Sequence, residues 1–151
     1  VGSTFVLHER LTVPAGHARV FLQGGKVVAK TGLNRYHPHC NIEVRTVSDG
    51  SLRIEPDTFL VTRVVEDEEE VVRRESPLRY AAFGVGDQAD SIIVVARFVR
   101  HWLTSERQPE VMRLTCHGGF DLPFYAETPS IAEIREALGS YFTLNLAVDG
   151  I

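Results

Sequence analysis

Two short segments hold the residues best equipped for chemistry. Cys40 closes Tyr36-His37-Pro38-His39-Cys40, and Cys116 lies in Leu114-Thr115-Cys116-His117. A cysteine flanked by histidine can belong to a disulfide, a metal site or a base-activated thiolate. Each choice implies a different compartment and a different task, so the phase of the neighbouring residues matters.

In an extended segment successive side chains point to opposite faces. Cys40 is then in phase with Ile42 and Val44, against Asn41, Glu43 and Arg45. Cys116 is in phase with Met112 and Leu114, against Arg113, Thr115 and His117. Both cysteines share a face with core-type residues, which favours a structural disulfide, then two inert buried thiols, over an exposed nucleophile. A Cys40–Cys116 bridge would close a loop of about 76 residues and on chain entropy contribute about 4.5 kcal/mol. Such bridges persist in oxidising compartments.

Across the strand from Cys40, His37 and His39 are expected to share a face with Asn41 and Glu43, joined by His117 if the two segments pair. His37, His39, His117 and Glu43 form an alternative ligand set for zinc or copper. Surface histidines at the start of a strand are the plainer reading. Cys40 served by His39 as base is disfavoured, because adjacent strand residues point apart. There is no Cys-x-x-Cys, Gly-x-Ser-x-Gly, His-Glu-x-x-His or phosphate loop, so no catalytic residue and no cofactor are assigned and a non-catalytic role is expected.

The elements that must position these residues read as β. Gly24-Gly25, between Ala18 to Gln23 and Lys26 to Lys30, is a two-residue primed-turn hairpin signal. Further strands are expected over Cys40 to Val47, Leu52 to Ile54, Thr58 to Val65, Ser91 to Thr104, Glu110 to His117 and Tyr141 to Val148, with Trp102 in the core. His8, His17 and His101 are read as ordinary structural residues. Glu66-Asp67-Glu68-Glu69-Glu70 repel one another and are placed at an exposed loop or hairpin tip. Phe83 to Asp90 reads as a glycine-containing loop. Ser130 and Glu133 form a capping box ahead of Ile131, Ile134 and Leu138, and Gly139 stops that helix. The sum is a single mainly β domain over residues 1–151, an antiparallel β-sandwich or open barrel with one C-terminal α-helix packed on it.

With 44% hydrophobic and 24% charged residues, the composition is that of a globular domain. A net charge of -4 offers no general attraction to nucleic acid or anionic membrane. No apolar run approaches the length of a transmembrane segment. The chain starts at Val1 and has only Met112 as methionine, from which we expect a removed secretion or lipoprotein leader, leaving a lipid anchor possible upstream.

Pro14-Ala15-Gly16-His17-Ala18-Arg19-Val20-Phe21, Tyr36-His37-Pro38-His39-Cys40, Phe59-Leu60-Val61-Thr62-Arg63 and Met112-Arg113-Leu114-Thr115-Cys116 together resemble a group of uncharacterised bacterial envelope proteins. The resemblance covers most of the chain, including the helix that ends at Gly139. It implies a secretion or lipoprotein leader and a periplasmic or envelope-anchored location, and no assigned activity. The absent catalytic motifs, in-phase cysteines and processed-looking start lead us to expect that exposed strand faces or loops contact another envelope component as partner.

Overall fold

A computed structural model describes residues 1–74 and 91–148; the loop expected over Phe83–Asp90 lies outside them. Ten strands, one α-helix and one 3-10 turn (Lys30–Gly32) are present among the described residues: β1 (Thr4–Leu7), β2 (Leu11–Val13), β3 (Arg19–Gln23), β4 (Lys26–Val28), β5 (His39–Val44), β6 (Leu52–Ile54), β7 (Asp57–Arg74), β8 (Ser91–Thr104), β9 (Val111–His117), α1 (Ile131–Leu138) and β10 (Phe142–Asn145). Eight strands build one antiparallel sheet in the order β10-β1-β7-β8-β9-β5-β3-β4, curled into a half-barrel, and β2 pairs with β6. This is the open-barrel form of the expected architecture.

The inner face of the half-barrel is closed by α1 and the β2–β6 ribbon. Ile134, Ala137 and Leu138 of α1 and Leu11, Val13 and Ile54 of the ribbon join Phe5, Phe59, Ile42 and Leu114 of the sheet in one core. The helix begins as its sequence dictates. Ser130 accepts from the Glu133 backbone N–H, and the Glu133 side chain accepts from that of Ser130. It ends at Gly139, whose φ of 57° suits glycine. The β3–β4 turn is also as expected, with φ of 60° at Gly24 and 77° at Gly25, and it docks on the helix end through Gly25 N–H to the Ala137 carbonyl at 3.1 Å.

Three sequence expectations are corrected. Glu66 to Glu70 are exposed but lie within β7, hydrogen-bonded to β8 from Val99 to Val95, not at a tip. The backbone is satisfied by β8 while both faces of β7 are open to solvent here, so alternation spreads the carboxylates over two faces, and Arg97 comes within 3.8 Å of Glu68. Met112 leaves the core face: Glu43 pairs with Arg113 and Val44 with Val111, so Met112 is the extra residue of a bulge and Val111 takes the buried place. Trp102 lies on the outer face with the Arg113 guanidinium 5.1 Å from its ring centroid, while its neighbour His101 is the buried one, edge-on to Phe5 at 5.0 Å.

Candidate functional site

β5 and β9 pair along their whole length, setting His39 opposite His117, Cys40 opposite Cys116, Asn41 opposite Thr115 and Glu43 opposite Arg113. Alternation sends the cysteines inward. There they form the Cys40–Cys116 disulfide, both residues buried in the core beneath α1. It sends the histidines, Asn41, Thr115, Glu43 and Arg113 to the outer face.

That outer face carries a pocket of about 160 Å³. Its floor is the β5–β9 rungs, with Asn41 and Thr115 only 6% and 3% exposed. β3 brings Arg19 and Phe21; β8 brings Ala96 and Arg100; β7 brings Glu69. The remaining wall is the segment 30–38, fastened to β3 because Gln23 donates to the Asn34 carbonyl at 2.8 Å and accepts from the Asn34 N–H at 3.0 Å. The chain after β9 braces the same segment. Phe120 N–H donates to the Arg35 carbonyl at 2.8 Å, and the Tyr36 and Phe120 rings meet edge to face. Gly119, at φ 93°, has no room for a Cβ against the Tyr36 carbonyl.

His39 and His117 stack at 4.8 Å with 12° between their planes. Burial lowers the pKa of both. For His117 the further causes are His39 and the cationic Arg100, Arg19 and Arg35, which together hold it down at about 3. For His39 the His37 carbonyl and Glu69 oppose the burial effect. Both rings are therefore neutral at physiological pH. A carbonyl can only accept, so the 2.9 Å contact of His39 Nδ1 with the His37 carbonyl puts the proton on Nδ1 and leaves Nε2 an acceptor. No serine, threonine or cysteine side chain hydrogen-bonds to either ring among the described residues.

The charges divide unevenly. Glu43 accepts from Arg113 Nε at 2.6 Å and lies 3.5 Å from Arg19. Arg100 donates its Nε to Thr115 Oγ1 at 3.2 Å and lies 4.9 Å from the Phe98 ring centroid. No carboxylate pairs with it among the described residues. Its pKa is lowered, first by burial and then by Arg113, with Glu43 and Asp67 opposing the shift.

Of the four residues considered for metal, the fold brings together His39 and His117. His37 closes a turn with Asn34 and lines a separate cleft beside Glu133 and Glu136 of α1. Glu43 shares the outer face but is engaged by the two arginines. Among the described residues no three His, Cys, Asp or Glu side chains are grouped to hold an ion. Sequence reasoning placed the histidines without their setting: Arg19, Arg35 and Arg100 were not singled out as a group, although Arg19, Asn41, Thr115 and Arg100 are each out of phase with the core residues of their strands.

Comparison of the chain with protein-family models, curated proteins and solved structures gave no match. No helix among the described residues is long and apolar enough to cross a membrane.

Proposed function

We propose that this chain is an exported, non-catalytic binding domain, periplasmic or attached to the bacterial envelope, whose sheet is stapled on its inner face and takes a small ligand on its outer face. The observation that carries this reading is Asn41. Its side chain is buried, borders the pocket and has no hydrogen-bond partner among the described residues. Its amide is not sealed from solvent but opens into the pocket, where its donor and acceptor are left for whatever enters.

The disulfide supports an oxidising compartment, and the resemblance to envelope proteins supports the same address. The non-catalytic reading rests on the missing motifs and on two neutral imidazoles that stack on each other instead of serving a nucleophile. The test is a screen of small polar compounds for a rise in unfolding temperature of the oxidised protein. Hits whose effect disappears in Asn41→Leu fit the proposal; a screen without a hit, or hits indifferent to Asn41→Leu, overturns it.

A second reading, metal handling, is favoured by the His39–His117 stack. Zinc or copper titration of wild type against His39→Ala decides it, since equal weak binding by both removes the idea.

A further inference from the structure

Arg100 is a partly buried cation with no directly paired carboxylate among the described residues; Glu43 and Asp67 act on it only from a distance. Thr115 fixes its Nε and Phe98 underlies its plane, but neither supplies an anion. Withdrawing a guanidinium from water without a directly paired counter-ion is unfavourable, and such groups concentrate at functional sites. Glu43, on the neighbouring strands' face, is already engaged by Arg113 and Arg19. With Nε occupied, the two terminal nitrogens of Arg100 remain as a fork, the geometry that matches two oxygens of a carboxylate or phosphate.

The rest of the pocket has the same bias. Arg19, Lys30 and Arg35 line it beside Arg100, against Glu43 and Glu69 as the only acids among the described residues. Glu43 is spent in ion pairs, and the stacked histidines are neutral. Asn41 can offer its amide N–H from the floor. The protein is acidic overall, so this is a local concentration of positive charge. At about 160 Å³, against roughly 30 Å³ for one water, the space admits a compact group and not a polymer backbone.

We propose that the outer-face pocket binds the carboxylate or phosphate group of a small metabolite, clamped by the Arg100 fork and the Asn41 amide, with Arg35 facing it from the segment 30–38. The inference rests on the reading of this face as a ligand surface and adds the ligand's chemical class.

Inorganic phosphate, acetate and acetamide, the last a neutral counterpart of acetate, are titrated into the oxidised protein at pH 7 and constant chloride, following the Asn41 and Thr115 resonances. The expected result is at least tenfold tighter binding of one anion than of acetamide, lost about tenfold in Arg100→Gln and about threefold in Arg35→Gln. The exposed Arg35 keeps the test valid if the Arg100 variant does not fold. Preference for acetate or for phosphate identifies which oxyanion the site is built for. Acetamide binding as well as acetate overturns the oxyanion assignment while leaving a binding face; so does silence from all three probes where a screened neutral compound still shifts Asn41. Silence from every compound overturns both.

Discussion

His39 stacks on His117 across β5 and β9, one rung from the Cys40–Cys116 bridge and on the opposite side of the sheet. The same two strands thus seal the core with sulfur and line a polar pocket with imidazole, and the two functions can be perturbed separately.

The imidazoles make stability pH-dependent. His117 has its folded pKa lowered from 6.5 to about 3, and His39 and His101 are lowered in the same direction by burial. Between pH 6.5 and about 3 the unfolded chain therefore binds more protons than the folded one, so stability falls as the pH falls through that window. With allowance for its partial exposure, His117 accounts for a loss on the order of 3 kcal/mol. Asp57, lowered from 3.8 through hydrogen bonds from Ser105 and Gln108 that outweigh its burial, adds a loss only at the acid end. The urea midpoint should drop clearly from pH 7 to pH 4.5 and drop less in His117→Phe; equal midpoints for wild type would refute the neutral pair.

The staple has a measurable share of stability. Cys40 and Cys116 are 76 residues apart in sequence, and Cys40→Ala/Cys116→Ala is expected to lose about 4 kcal/mol of unfolding free energy by denaturant titration. Unfolded, unreduced protein taken from its native compartment should show no reactive thiol. Two free thiols would remove the argument for export.

The hairpin turn and the helix end touch through glycines. A Cβ on Gly139 would overlap the Cα of Gly25, whereas one on Gly16, at φ 76°, meets nothing within 4 Å. Gly16→Ala should cost about 1 kcal/mol from backbone conformation alone. Gly139→Ala should cost about 3 kcal/mol, since strain and overlap add. Thermal unfolding of the two variants checks the order, and equal losses would mean that the turn does not rest on the helix.

What could be read from the sequence was local. The in-phase cysteines, the Gly24-Gly25 turn and the Ser130–Glu133 cap depend on residues a few positions apart. The acidic run misled because five charges suggest a loop, yet a strand hydrogen-bonded to β8 with both faces wet tolerates them. The bulge at Met112 was invisible to simple alternation. The pocket was least legible, because Arg19, Arg35 and Arg100 meet only through the strand order β8-β9-β5-β3, which no local pattern encodes.

Glu69 gives a check on the sign of the pocket's charge. It borders the pocket from β7 and has no ion-pair partner among the described residues. Removing a like charge should favour an anion, so Glu69→Gln is expected to tighten phosphate or acetate binding a fewfold at low salt, with the gain fading as salt screens it. Weaker anion binding in this variant would contradict the assignment.

The most direct measurement is a crystal structure of the oxidised protein with the compound that most raises its unfolding temperature. The account predicts that compound in the outer-face pocket, an oxyanion within hydrogen-bond distance of the Arg100 guanidinium and the Asn41 amide, with the Cys40–Cys116 bridge intact behind it. A ligand bound elsewhere on the molecule, with Asn41 and Arg100 untouched, would contradict it.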